Sequence, residues 1–205
     1  MDTTSLESLQ EVTTIAAGNA ATALSKLSGH DVTVTVPSVK LVPIEKVLTE
    51  IGDVSHVSSA TLVKIKGDIQ GILLFAFDPH EAEAVAAGIS NKQVDGAFDD
   101  EDQAVLREMV NIISGAALSA MATFLSMDIL QSVPASATDM LGAVLDPFMA
   151  ELGSEFETVL VLQELFAIPI NGTSLKCIGI IDPSSTAKML QKMAEKLDPT
   201  HATNN

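Results

Sequence analysis

The stretch LQEVTTIAAGNAATALSKLSGHDVTVTVP, from Leu9 to Pro37, returns as LREMVNIISGAALSAMATFLSMDILQSVP, from Leu106 to Pro134. No gap is needed to align them. Leu9 falls on Leu106, Glu11 on Glu108, Ile15 on Ile112, Gly18 on Gly115, Asp31 on Asp128, Val36 on Val133 and Pro37 on Pro134. Ala20 and Ala23 fall on Ala117 and Ala120. Matches spread this evenly mark an internal duplication, and the chain reads as two copies of one unit.

Each copy opens with a helix. Leu6, Leu9, Ile15, Leu24 and Leu27 supply the apolar set in the first, and Leu106, Met109, Ile112, Ile113, Leu118 and Met121 in the second; their period and length favour helix over strand. Asp31–Pro37 and Asp128–Pro134 then read as strands that a proline ends. Further along, the apolar runs Ile72–Asp78 and Ile178–Asp182 both close on Asp-Pro. An Asp cap followed by a proline, which has no N–H to leave unpaired, is a helix start. Helices are therefore expected from Pro79 to about Ala87 and from Pro183 to about Lys196, with strands around Ala60–Lys66 and Phe156–Phe166 and a polar loop over Asn91–Asp102. The result is an α+β fold: a pseudo-two-fold duplication of a helix–strands–helix unit, with long helices on a mostly antiparallel sheet. One domain is expected, built of repeats over about 5–90 and 102–197, with 198–205 as a flexible tail.

Composition narrows the function. The 205 residues are 47% hydrophobic, drawn from aliphatic side chains with no Trp or Tyr, and the formal net charge is -16. So acidic a surface repels phosphate backbones and anionic headgroups, which speaks against nucleic acid or membrane as partner. The start, MDTTSLESLQE, lacks the basic and apolar regions of a secretory signal. The longest apolar stretch, Ile112 to Leu125, is broken by Ser114, Gly115, Ser119 and Thr123, short of a membrane span. A cytoplasmic protein is expected. Cys177, the only cysteine, lies in alternating LKCIGII and reads as a buried, inert thiol. His30, His56, His80 and His201 have no second ligand at metal spacing, so no metal site and no cofactor is read. Met140, Met149, Met189 and Met193 are core or interface residues.

Conserving packing explains the repeated glycines and prolines: Gly18 and Gly115 as points of close helix approach, Pro37 and Pro134 as strand ends. It does not explain the glutamates. Glu108 and Asn111 are three apart and share one helix face, with Gly115 about a turn further on and Ser114, Ala116 and Ala117 beside it. A carboxylate, an amide and a small-residue surface together would let another protein's backbone come near.

Glu108-x-x-Asn111 with Pro134 after 22 intervening positions resembles the signature of the CheC/CheX/FliY phosphatases, in which an acid or Ser precedes the Glu by four. The first copy gives Glu7, Glu11, Thr14 and Pro37 in the same register, and IAAGNAATALSKLSG is similar to the family's first helix. The resemblance spans nearly the whole chain, and its two-copy layout is that of CheC. It implies hydrolysis of the phosphoaspartate of a phosphorylated CheY-like response regulator, without a covalent intermediate. Asn111 would orient the attacking water and Glu108 would anchor the regulator's lysine, while Mg2+ would be held by the regulator. Hydrolysis needs only a placed water, since an acyl phosphate is already labile. Two departures stand out. Thr14 replaces the first site's Asn and lacks an amide's reach and paired donor and acceptor, so Glu11 and Thr14 form a degenerate site; Asn19, five residues on, faces elsewhere. Ala104 stands where the second site's leading acid or Ser would be. Arg107 offsets some of the acidic charge locally. The segment Thr138–Val144 resembles the CheC helix that contacts the deamidase CheD, with Asp139 the candidate contact, though an acid in a helix's first turn also accounts for it. The alternatives are a catalytically weak adaptor that binds phosphorylated regulator or CheD, and a structural relative like the flagellar-switch members.

Overall fold

The duplication is visible first in the helices. A computed structural model describes residues 3–94, 96, 98–170 and 172–197; the expected tail, 198–205, and His201 lie outside them. Helices α1, Thr3–Ser28, and α4, Asp100–Leu125, are both 26 residues long and keep the sequence register end to end. Each is stopped by a left-handed residue, Gly29 (φ 71) and Ser126 (φ 54). At the start of α4, Asp99 accepts from the backbone N–H groups of Glu101 and Asp102, both at 2.9 Å, and Asp102 returns the bond to Asp99 N–H at 3.2 Å, a reciprocal cap. The Asp-Pro starts also hold. Asp78 caps α3, Pro79–Ser90, through His80 N–H at 3.0 Å. Asp182 opens α6, Pro183–Leu197, by accepting from Ser185 N–H at 2.9 Å.

Among the described residues, eight strands form one antiparallel sheet: β1 (Thr33–Val34), β2 (Ser38–Pro43), β3 (Val57–Gly67), β4 (Gly71–Phe77), β5 (Ile129–Gln131), β6 (Ala135–Met140), β7 (Thr158–Ile168) and β8 (Thr173–Ile181). β4 and β8 lie side by side at the centre, Leu73 opposite Gly179, with β3 outside β4 and β7 outside β8. The two copies then exchange edges. β1 and β2 of the first copy pair with β7 of the second, and β5 and β6 of the second pair with β3 of the first. Neither repeat keeps a sheet of its own: strands of both are joined in one.

Alternate strand residues serve two cores. Leu73, Phe75, Leu160 and Leu162 face α1, α3, α4 and α6. Ile72, Leu74, Val159 and Val161 face the opposite way, toward α2 (Val47–Ile51) and α5 (Leu141–Gly153). The sheet is therefore covered on both faces. Met189 and Met193 are buried in the first core and Met149 packs against the second, but Met140 is exposed. Cys177 is buried, and burial raises its thiol pKa well above the ordinary value, as an inert thiol requires. By length and mean hydropathy (1.4) α4 could cross a bilayer, contrary to expectation, but its apolar face packs into the core with α1.

Three further expectations need correction. The prolines do not end the strands. Between Val34↔Phe166 and Ser38↔Gln163 three residues oppose two, and the same holds between Gln131↔Ile65 and Ala135↔Leu62. Pro37 and Pro134 thus lie in bulges of edge strands that resume beyond them, where a missing N–H is tolerated. In each bulge a hydroxyl completes the ladder: Lys64 N–H donates to Ser132 Oγ and Leu165 N–H to Thr35 Oγ1, both at 3.0 Å. Second, Gly18 and Gly115 are not points of close helix approach. A methyl at Gly18 would meet nothing within 4 Å, and one at Gly115 only the Gln131 amide, at 3.7 Å. Third, Asp139 is not in a helix. It lies on β6, opposite Ser58 of β3, and accepts from Met140 N–H at 2.7 Å; this pairing keeps the chain extended until α5 begins at Leu141.

Candidate active site

The separation of Asn111 from Pro134 is an out-and-back path. From Asn111 the helix climbs to Leu125, about 21 Å at 1.5 Å per residue. The chain reverses at Ser126 and returns along β5 from Met127 to Pro134, about 23 Å at 3.3 Å per residue. The two legs nearly cancel, so the bulge comes to rest beside the helical turn carrying Glu108 and Asn111. There Ala104, Arg107, Glu108, Asn111, Val133 and Pro134 line an open depression of about 330 Å3. The structure thus brings Glu108, Asn111 and Pro134 together; Gly115 lies one turn along, against Gln131.

Exposure sorts these residues by what they can do. Glu108 and Arg107 are exposed, Asn111 is half-buried and Pro134 is buried. Arg107 is the chain's sole arginine and puts a positive charge in the lining of the depression. Beside the polar groups lie exposed Ile112 (38%), next to Asn111 on the helix, and Val133 (86%) in the lining itself. An apolar rim about a carboxylate and an amide, in a depression open to solvent, suits a protein surface better than an enclosed small molecule.

The Asn111 side chain is held. Gln131 on β5 donates from Nε2 to Asn111 Oδ1 at 2.8 Å and to the Asn111 backbone carbonyl at 3.1 Å. Ser114 Oγ, fully buried, lies 2.9 Å from Gln131 Oε1. Sequence reasoning passed over Gln131. The signal was there: the repeat places Gln131 on Val34, and a polar residue replacing an apolar one on a strand packed under a helix asks for a partner.

The first repeat has the frame without the groups. Glu11 and Thr14 are exposed and Pro37 is buried, but Thr14 Oγ1 donates to the Gln10 carbonyl of its own helix at 2.7 Å. Asn19 Nδ2 is likewise occupied, on the Ile15 carbonyl at 2.8 Å. Ala17 and Val34 stand where Ser114 and Gln131 stand in the second repeat. Asp139 lies apart from both, near the end of the exposed edge strand β6.

Comparison with known proteins covers both repeats. Residues 59–148 match the family described as chemotaxis phosphatase CheX, and residues 8–41 match the CheC-like family. The CheY-P phosphatase CheC of Bacillus subtilis is 28% identical over 162 residues, 77% of this chain and 78% of that protein. Among solved structures, FliY of Thermotoga maritima superposes with a TM-score of 0.72 at 18% identity, covering 96% of this chain and 98% of its own. CheX of Borrelia burgdorferi, solved in a complex with CheY, BeF3 and Mg2+, gives 0.54 at 15% identity over 82% of this chain and 96% of its own.

Proposed function

Because the chain belongs to the CheC/CheX/FliY family of chemotaxis proteins, we propose that it hydrolyses the phosphoaspartate of a CheY-like response regulator, working from the second-repeat site. The observation that carries this reading is the single oriented amide, Asn111, at an open depression with Glu108 at its edge. Chemistry at such a site is positional. A water oxygen attacks phosphorus in line, the bond from phosphorus to the acyl oxygen breaks, and the aspartate carboxylate and inorganic phosphate leave, a water proton passing to solvent. Asn111 places the water and Glu108 pairs with a lysine of the regulator, while the regulator's own acidic cluster holds the Mg2+. An amide suits the task because it directs hydrogen bonds without changing charge. Losing one preorganised group of this kind reduces turnover about a hundredfold, roughly 3 kcal/mol.

The regulator's active site is acidic, and so is this chain. Arg107 supplies positive charge at the contact, and beyond about 8 Å other acids are screened at physiological ionic strength. Such a partner is cytoplasmic, which sets the compartment proposed for this protein. A CheD contact at Asp139 would use an exposed strand edge instead of a helical turn.

The test is decay of a phosphorylated CheY-type regulator with this protein at one-tenth stoichiometry. Accelerated decay of the whole pool supports an enzyme. Binding without acceleration contradicts it and leaves an adaptor.

A further inference from the structure

A carboxamide can position a water only if it faces one way, because its oxygen accepts and its nitrogen donates. The atoms around Asn111 decide the direction. Its backbone carbonyl can only accept, so the Gln131 atom 3.1 Å from it is the Nε2 donor. That same Nε2 lies 2.8 Å from the Asn111 side chain, so the atom it meets there is the acceptor Oδ1. Asn111 Nδ2 is left facing the depression. Behind this pair Ser114 Oγ lies 2.6 Å from the Val110 carbonyl and 2.9 Å from Gln131 Oε1, and its one proton is shared between these two acceptors.

We propose that Gln131, backed by Ser114, is a positioning residue that fixes the Asn111 carboxamide with Nδ2 toward the attacking water; its effect on rate rests on the phosphatase reading above. An N–H from Nδ2 engages one lone pair of the water. The other is left for phosphorus, and both protons remain free for acceptors on the regulator. Were the amide reversed, the water would donate to Oδ1 and neither lone pair would be directed. The first repeat fits the same logic. It lacks the amide at Thr14, the clamp at Val34 and the backing hydroxyl at Ala17, so all three parts of the amide and its support are missing there.

Two readouts test this, one independent of turnover. In 15N side-chain amide spectra the Asn111 NH2 pair, assigned by its absence in Asn111→Ala, should be resolved from free amides in the wild type. It should move to the free-amide position in Gln131→Leu. In the decay assay Gln131→Leu and Gln131→Glu should each lower kcat about 10- to 30-fold, with affinity for the beryllofluoride-activated regulator within twofold. The carboxylate cannot donate, and it turns Asn111 Nδ2 inward. Ser114→Ala should lower kcat about threefold. An Asn111 NH2 pair unmoved in Gln131→Leu overturns the clamp even if the wild type shows no turnover. Unchanged kcat in both Gln131 variants, with a wild type that turns over, overturns the role in positioning while leaving the phosphatase reading intact. Should Gln131→Glu fail to fold, Gln131→Leu, the counterpart of Val34 in the first repeat, decides alone.

Discussion

Glu164 should make this protein lose stability as pH rises, and Glu164→Gln should abolish that loss. The residue lies on β7 opposite Cys177 of β8, at a small apolar cavity under α1 and α4 lined by Ala16, Ala17, Ala20 and Ala117. Burial there pushes its carboxyl from 4.5 up to about 8. The protonated form therefore fits the fold, and the unfolded chain gives up the proton earlier. Below about pH 4.5 the group is neutral in both states and has no effect. Stability then falls as pH rises to about 8 and is level above it. Over an interval of about three and a half pH units, at 1.36 kcal/mol each, the ceiling is roughly 5 kcal/mol. The side chain is half-buried, not sealed, so about 2 to 3 kcal/mol is expected after allowance for solvent screening. Glu164→Gln keeps the shape and stays neutral. Thermal melts of both proteins from pH 5 to pH 9 should show Tm values nearly equal at pH 5, diverging to favour the variant by about 5–10 °C at pH 9. A difference that stays constant across that range would refute the reasoning.

Two other outcomes follow from local geometry. Gly67 has φ 101, and a methyl there would sit 2.3 Å from the Asp128 carbonyl oxygen, so Gly67→Ala should lower stability by about 3 kcal/mol; a Tm within 2 °C of wild type by calorimetry contradicts this. In an Asn111→Ala background, Thr14→Asn alone should restore less than a twofold gain in regulator dephosphorylation, whereas Thr14→Asn with Ala17→Ser and Val34→Gln should restore at least tenfold. Equal rescue by the single change would show that the amide needs no clamp.

The duplication, the Asp-Pro helix starts and the pairing of Glu108 with Asn111 were legible because each depends on residues close in sequence or at a fixed repeat spacing. β2 and β6 were not. SVKLVP and ASATDM carry weak alternation, and the proline before each suggests an end where the chain only bulges. Their pairing is decided by the other repeat's β7 and β3, which no local pattern reveals. Asp139 was misplaced for the same reason, since its extended backbone comes from Ser58 across the sheet. The repeat marks Gln131 as a polar residue in the place of Val34, but its partner needed the fold, because only the return of β5 along α4 brings a strand residue under the helical amide. Glu164 needed it too: at one position among apolar neighbours, a charged residue on a strand reads as solvent-facing until helices are laid over it.

The measurement that bears most directly on the proposed chemistry compares wild type with Asn111→Ala against a phosphorylated CheY-type regulator from the same organism. Both proteins are used at one-tenth stoichiometry, and their affinity for the beryllofluoride-activated regulator is measured in parallel. Wild type should accelerate decay of the whole pool, and Asn111→Ala should lose about a hundredfold of that acceleration, roughly 3 kcal/mol, with affinity within twofold. Acceleration that persists in Asn111→Ala, or a wild type that binds and does not accelerate decay, would contradict hydrolysis through Asn111.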